Sequence, residues 1–475
     1  MFESEYDLVV LGGGAAAFAA ITEASERGLS TVIVNTGLPL GGTCVNVGCV
    51  PSKHLLAVAE TADTPRSNPF AAVEYDSGQP TVDWAAAVAE KDRLVAALRE
   101  ENYANVVEQY GTAVYEGFGR FVGETTLELV DGADERTRVG GRTVLVATGS
   151  SPHIAPIDGI ETVEYETSES ILDRRTLPES IVVVGGGYVG CEWSQILSRL
   201  GVDVTLLQRS GHMLSGMWSA LGRDLGDHFR AEGIEVVTEA TPNEVTTDGS
   251  GIVVEATVAG ERRAFAASDL FVATGVEPNT AGIGLDVAGI ETDERGAVVV
   301  DEGFRTTNPD AYAAGDCIGD PMLETVAAKE GNRAIENAFG GGEHTIDYGA
   351  VPTVVYTSPE VASVGTTEPA YAAEHGTCTC RTIRMEDVPK ANAVEDTRGL
   401  VQVVKHHETD EIVGVHMVGP RAADVIPAAT LAVKHGLTVD DVIDTVHPFP
   451  TFSEAFKHVC QAFRRDTSTM SCCVE

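Results

Sequence analysis

The chain has 475 residues, 43% of them hydrophobic, enough for about three domains with cores of their own, so a disordered tail and a mini-protein are excluded. Acidic residues outnumber basic ones 72 to 32, and a net charge of −40 repels phosphate backbones and anionic lipid; neither nucleic acid nor a membrane surface is an expected partner. Of the 32 basic residues 7 are Lys and 25 Arg, and so few lysines beside so many carboxylates point to a halophilic protein, kept soluble in strong salt.

Met1-Phe2-Glu3-Ser4-Glu5 leads directly into the strand-like Tyr6–Leu11, with no basic stretch, apolar segment and cleavage site; a cytoplasmic protein is expected. No run approaches about 18 apolar residues, so no spanning helix is expected. The cysteine count of 9 is odd and small for this length, which argues for individual chemistry or packing rather than a secreted disulfide framework.

The strand-like run Asp7–Leu11 opens into Gly12-Gly13-Gly14-Ala15-Ala16-Ala17, which fits G-x-G-x-x-A through Gly12, Gly14 and Ala17. Missing side chains there let backbone N–H groups and a helix N-terminus approach a pyrophosphate, although a plain tight turn satisfies the same pattern. The next strand, Thr31–Val34, ends in Asn35, where an acidic residue usually takes the ribose hydroxyls and an amide can still hydrogen-bond. Next comes Gly41-Gly42-Thr43-Cys44-Val45-Asn46-Val47-Gly48-Cys49-Val50-Pro51-Ser52-Lys53. Two cysteines five positions apart before a helix permit a redox disulfide, because a helix N-terminus favours the thiolate; two buried structural cysteines are the plain alternative.

Ala147-Thr148-Gly149-Ser150 and later Ala273-Thr274-Gly275-Val276 both close apolar runs, as if the chain crosses to a second domain and returns. Between them, Ile181–Val184 opens into Gly185-Gly186-Gly187-Tyr188-Val189-Gly190, a full G-x-G-x-x-G. A second copy in one chain implies two dinucleotides. The strand Val202–Leu207 ends in Gln208-Arg209-Ser210, so no carboxylate repels a 2′-phosphate and Arg209 can pair with it; NADPH is expected over NADH. Beyond Gly340-Gly341-Gly342 the pattern turns to alternating segments, Ala350–Tyr356, Leu400–Val404 and Ile412–Val418, each followed by helical stretches. The expected fold is α/β, with two Rossmann-like domains and a C-terminal α+β domain. The expected boundaries are 1–150 with 271–348, then 151–270, then 349–475.

The Gly41–Lys53 stretch, with both nucleotide motifs, closely resembles the pyridine-nucleotide disulfide oxidoreductases, and the resemblance runs over nearly the whole chain. These are flavoproteins that include glutathione reductase, lipoamide dehydrogenase and mercuric reductase. The resemblance implies FAD, held around Gly12, Gly14, Ala17, Asn35, Gly42, Thr43, Lys53, Thr148, Gly149 and Asp316 of Ala314-Gly315-Asp316. It implies NADPH as co-substrate around Gly185, Gly187, Gly190, Gln208, Arg209 and Gly275. By the same resemblance Cys49 is the thiol nearest the flavin, Cys44 the outer interchange thiol and Lys53 a neighbour of the flavin N5. Glu192 would pair with that lysine and Tyr188 would gate the nicotinamide pocket.

Thiol-handling members carry His-Pro-Thr-x-x-Glu, whose imidazole is a general base. Here the segment is Phe449-Pro450-Thr451-Phe452-Ser453-Glu454; the usual base is missing and the nearest imidazole is His447, two residues upstream. The chain ends Ser471-Cys472-Cys473-Val474-Glu475, two adjacent thiols on a polar tail from about Arg464, well suited to a soft cation. With Val388-Pro389-Lys390 and Asp396-Thr397-Arg398-Gly399, this ending resembles the mercuric reductases within the family. That resemblance implies reduction of Hg(II), delivered as thiol complexes, to Hg(0), in a C₂ homodimer formed through residues after about 349. Cys472 and Cys473 would come from the partner subunit and hand the ion to Cys44 and Cys49. The amino-terminal metal-binding module of many such enzymes is not expected here.

A flavin-dependent reductase of a small disulfide, with His447 as base, is the alternative, and a metal-sequestering flavoprotein is another. Of the remaining cysteines, Cys191 and Cys460 read as core thiols and Cys317 as packed near the FAD. Cys378-Thr379-Cys380 reads as a loop or strand-edge pair rather than a metal site, and His406-His407 as a solvated turn.

Overall fold

A parallel sheet buries both faces, so its strands read as unbroken apolar runs. Ser4–Leu11 is such a strand: Leu8, Val9, Val10 and Leu11 are all buried in the computed structural model, which describes residues 4–75, 80–130, 136–247, 249 and 251–466. It lies between Thr31–Asn35 and Arg136–Val146, parallel to both. Ala113–Glu116 extends the sheet beyond Thr31–Asn35, while Thr126–Val130 and Phe118–Phe121 continue it antiparallel past Arg136–Val146. Ala311–Ala313, from much later in the chain, also pairs with Arg136–Val146 in parallel. Helix Ala15–Glu26 packs on helix Glu324–Gly340. A Cβ on Gly331 would meet the Ala16 carbonyl oxygen at 2.1 Å, so the two helices touch backbone to backbone.

The second sheet is parallel, in the order Glu235–Val237, Asp203–Leu207, Ser180–Val184, Asp269–Val272, beside an antiparallel ribbon of Ala240–Thr247, Ile252–Val258 and Glu261–Ala267. The third is antiparallel and five-stranded, in the order Thr353–Val355, Glu360–Gly365, Ile412–Gly419, Leu400–Lys405, Cys380–Arg384. Helix Ala422–Lys434 covers its centre and helix Glu454–Gln461 packs on its far strands. Two nucleotide-type α/β sheets and a C-terminal α+β unit are the architecture expected from the sequence. The first sheet takes strands from both sides of the second, as the paired Ala-Thr-Gly crossings imply.

Three units converge near helix Cys49–Ser67, which packs on helix Tyr188–Arg199. Gln195, fully buried on that second helix, exchanges two hydrogen bonds with Ser358: its Nε2 donates to the Ser358 carbonyl at 2.8 Å, and the Ser358 N–H donates to its Oε1 at 2.8 Å. No helix among the described residues is long and apolar enough to cross a membrane.

Candidate active site

Gly41 and Gly42 both have left-handed backbones, with φ of 101° and 60°, and turn the chain into the short helix Gly42–Asn46. Asn46 Nδ2 donates back to the carbonyls of Gly42 at 2.8 Å and Pro39 at 3.0 Å, locking that turn. Cys49 then begins the helix Cys49–Ser67. A Cβ on Gly48 would lie 3.2 Å from Cys44 Cα and 3.0 Å from the Thr43 carbonyl oxygen, so the two helical turns close tightly on each other. The thiols of Cys44 and Cys49 thus come together, with a carboxylate oxygen of Glu324, all within 4.8 Å of one another. Both cysteines are free thiols.

Their acidities are driven apart. A hydrogen bond from the Cys44 thiol, with the Lys53 ammonium one turn along the helix, holds the Cys49 thiol below its ordinary range. Donating that bond, burial and the nearby Glu324 carboxylate push the Cys44 thiol far up. Burial raises Glu324 itself, against a hydrogen bond with Cys44. The Tyr103 phenol, which closes over the Gly41 turn, is pushed up to about 12 by burial and by these neighbouring charges.

Lys53 Nζ lies 2.7 Å from Glu192 Oε2, and Glu192 is 5% exposed. The other carboxylate oxygen accepts the Tyr356 N–H at 3.0 Å, and Lys53 Nζ stands 4.8 Å from the Tyr356 ring centroid. One ion pair therefore joins the dithiol helix, the second nucleotide unit and the C-terminal unit.

The first glycine turn is built for close backbone approach. A Cβ on Gly12 would lie 2.0 Å from the Ala147 carbonyl oxygen, and one on Gly42 would lie 2.7 Å from Gly14 Cα. No side chain caps the N-terminus of helix Ala15–Glu26, which leaves its first N–H groups to an anion. Ala17 is fully buried, its methyl group packed beneath the turn. The buried Thr148 Oγ1 has no hydrogen-bond partner among the described residues, and Gly149 beside it has a left-handed φ of 69°. Ser150 Oγ donates to Asp316 Oδ2 at 2.6 Å, while Glu330 accepts the Gly315 N–H at 2.7 Å and sets the loop. Thr43 stands exposed on the short helix. The Asn35 amide donates to the Leu38 carbonyl at 2.9 Å, which leaves its Oδ1 facing Gly13. A hydroxyl without a partner, a glycine cradle and an uncapped helix fit an FAD.

In the second turn a Cβ on Gly185 would meet the Ala273 carbonyl oxygen at 2.2 Å, and one on Gly190 would meet the Gly185 carbonyl oxygen at 1.8 Å. Gly187 and Gly275 face open space, which fits a second dinucleotide. Gln208 is buried and supports this turn from behind: its Oε1 accepts the Gly186 N–H at 3.0 Å and its Nε2 donates to Ser210 Oγ at 2.6 Å. Arg209 is exposed at the strand end. Tyr188 is the first residue of its helix, part-exposed, with its hydroxyl toward Thr353.

Residues 6–331 match the family model described as pyridine nucleotide-disulphide oxidoreductase, and residues 351–460 match that family's dimerisation domain. The chain belongs to this family. A mercuric reductase of Streptomyces lividans is 42% identical over 472 residues, 98% of each chain. A mercuric reductase of Lysinibacillus sphaericus is 37% identical over 99% of this chain and 85% of that one. Among solved structures, the Cu(II) complex of the HOCl-induced flavoprotein disulfide reductase RclA from Escherichia coli covers 97% of this chain and 99% of that one, with a TM-score of 0.86 at 24% identity; it shares the fold.

In this pyridine nucleotide-disulphide oxidoreductase the segment Phe449–Glu454 presents no imidazole. Phe449 is 51% exposed, and the buried Glu454 spends Oε2 on the Thr451 N–H at 3.1 Å. His447 Nε2 bonds instead to the Val442 carbonyl at 3.1 Å. Cys472 and Cys473 lie outside the described residues. Cys191, Cys317 and Cys460 are fully buried, and Cys317 Sγ lies 3.3 Å from the Val146 carbonyl oxygen, beneath the first nucleotide turn.

Two expected placements hold, and the structure adds neighbours to each. His406 and His407 open the exposed turn expected; their rings stack at 4.7 Å and, with His375, gather around Tyr371, whose hydroxyl is 2.7 Å from His407 Nδ1. Cys378 and Cys380 sit in a loop and at the start of an edge strand, as expected, and the Glu368 carboxylate stands beside them. Sequence reasoning also missed Glu324, Tyr103 and Tyr356 at the dithiol. The carboxylate of Glu324 in the first turn of a helix is the one local signal it offers, and that signal does not say what the helix end faces.

Proposed function

We propose that this oxidoreductase uses NADPH to reduce Hg(II) to Hg(0). The observation that carries this reading is the cluster of Cys44, Cys49 and Glu324, two thiols and a carboxylate with no imidazole among the described members. A pair of thiolates is a strong ligand set for a soft cation, and ligand exchange between thiolates needs no obligatory proton donor. Full-length likeness to mercuric reductases supports the same substrate.

Residues 1–150 and 271–348 form the FAD-binding domain in this reading, 151–270 the NADPH-binding domain and 349–475 the dimerisation domain. Bound FAD supplies the two-electron transfer between NADPH and the thiol side of the site. The Cys49 thiolate, favoured by Lys53 and by the Cys44 hydrogen bond, displaces one thiol from an incoming mercury complex. Cys44 displaces the second and gives its proton to the Glu324 carboxylate, which burial has made receptive. Glu192 keeps Lys53 aimed at this site, and Tyr188 covers the nicotinamide pocket. Two electrons convert the bound Hg(II) to Hg(0), which the thiolates no longer hold. Arg209, exposed beside the second glycine turn, pairs with the 2′-phosphate that marks NADPH.

Two protomers assemble through the dimerisation domain, and the tail thiols Cys472 and Cys473 of one deliver mercury, taken from small thiol complexes, to the dithiol of the other. The enzyme works in the cytoplasm, where NADPH and reduced thiols are supplied. The test is NADPH oxidation by the purified protein in molar salt with excess small thiol, with volatile mercury trapped from the same vessel. Turnover that depends on Hg(II) and yields vapour is expected. Consumption of NADPH on small disulfides, with none on Hg(II), overturns the proposal in favour of a thiol reductase.

A further inference from the structure

A second group of soft ligands lies in the C-terminal unit, on different elements from the dithiol. Helix Glu368–His375 begins with Glu368, capped by the Thr367 side chain, and Cys378 follows its C-terminal glycine by two residues. Cys380 opens the edge strand Cys380–Arg384, and the Lys405 N–H donates to the Thr379 carbonyl at 2.9 Å, which fixes the register of the loop between the cysteines. The two Sγ atoms are 3.2 Å apart, and Cys378 Sγ is 3.4 Å from Glu368 Oε1. All three ligand atoms lie within 4.8 Å of one another.

Two further observations set this group apart from a chance surface pair. Gln402 is 1% exposed on the neighbouring strand, and its Nε2 donates to Glu368 Oε2 at 2.9 Å, which turns Oε1 toward Cys378. The buried Gln402 Oε1 has no hydrogen-bond partner among the described residues. The sulfur–oxygen spacing suits a tetrahedral cation, whose sulfur and oxygen ligands stand about 3.5 Å apart against the 3.4 Å found, while the sulfurs, 3.2 Å apart, need open by only about half an ångström to the roughly 3.8 Å such an ion sets.

We propose that Cys378, Cys380 and Glu368 form a second binding site for a thiophilic divalent cation, distinct from the reaction dithiol and independent of which substrate the enzyme reduces. The ion displaces one proton from each thiol and takes the carboxylate as third ligand, leaving a fourth tetrahedral position to an exchangeable ligand. Such a site captures a soft ion away from the electron path and ties the loop 376–379 to the sheet.

The test uses the full-length chain carrying Cys44→Ser, Cys49→Ser, Cys472→Ser and Cys473→Ser, in which the thiols outside the pair, Cys191, Cys317 and Cys460, are fully buried. It is titrated with Cd(II) under reducing conditions, and thiolate-to-metal absorption and bound metal are measured. One Cd(II) per chain is expected. Adding Cys378→Ser and Cys380→Ser should abolish it, and adding Glu368→Gln should weaken it about tenfold, the share of one charged ligand. In the otherwise unaltered enzyme, the Cys378→Ser/Cys380→Ser variant should keep parental NADPH turnover. Alkylation mapping on the wild-type protein should show Cys378 and Cys380 protected by Cd(II). No binding by the four-serine chain, binding that survives loss of the pair, or alkylation unchanged by Cd(II) overturns the proposal.

Discussion

Glu324 shows what a single side chain contributes at the dithiol. Its carboxylate is held among Cys44, Cys49 and Tyr103, where burial raises its affinity for a proton and the Cys44 thiol is the nearest donor. Glutamine keeps the volume and removes the charge. Hydrogen bonds to a charged group are worth about 1.5–3 kcal/mol, so Glu324→Gln should lower kcat/KM for Hg(II) about tenfold or more while FAD content stays unchanged. Stopped-flow and steady-state NADPH oxidation check this, and a parental kcat/KM would remove Glu324 from the proposed proton path. The two cysteines and Lys53 stand in a recognisable local run; Glu324 is nearly three hundred residues away and has no pattern around it that names its neighbours.

At the scale of elements, the two glycine turns separate the two dinucleotides. A methyl group at Gly12 would collide with the Ala147 carbonyl and one at Gly190 with the Gly185 carbonyl, and neither contact involves a flexible side chain that can give way. Gly12→Ala should therefore purify with little FAD, whereas Gly190→Ala should keep its FAD and lose NADPH affinity, read from flavin absorbance and from KM for NADPH. Loss of FAD from both variants would mean general misfolding.

The central strand Ile412–Gly419 carries a second testable element. His416 is fully buried; its Nε2–H donates to the Thr366 carbonyl at 3.1 Å, and because burial keeps the ring neutral, Nδ1 accepts the Ser363 hydroxyl at 2.7 Å. Burial lowers its pKa to about 4, whereas the unfolded chain takes up that proton near about 6.5. The contribution is full above about 6.5 and is lost as pH falls from there toward about 4, up to about 3 kcal/mol. The urea midpoint should fall between pH 7 and pH 5, and His416→Gln should flatten that slope even as it lowers stability at pH 7. An unchanged slope in the variant would assign the acid sensitivity elsewhere.

For the whole molecule, charge and assembly are coupled. Each chain carries −40, and bringing two such chains together is opposed by a repulsion that salt screens over about 10 Å at 0.1 M and about 3 Å at 1 M. Light scattering should give a dimer in molar salt, and dialysis into millimolar salt should yield monomers with lost mercury-dependent turnover. A monomer in molar salt refutes the assembly; a dimer fully active in low salt refutes the halophilic reading.

The sequence by itself determined whatever depends on neighbours along the chain. Two strand–glycine–helix turns, the Cys44–Cys49 pair and the apolar alternation after residue 349 are local, because a turn, a helix start or a strand period needs residue types within a few positions. Only the tertiary structure decided what meets across the chain: Glu324 at the dithiol, Tyr356 over Lys53, the use of Gln208 and Glu454 for backbone support, and Glu368 beside Cys378 and Cys380. Those meetings follow from strand order and helix crossing, and side chains dozens to hundreds of residues apart leave no periodic trace in one sequence. His406 and His407 make the same point, since the sequence shows a polar turn and the helix Glu368–His375 supplies the tyrosine and third imidazole around which they gather.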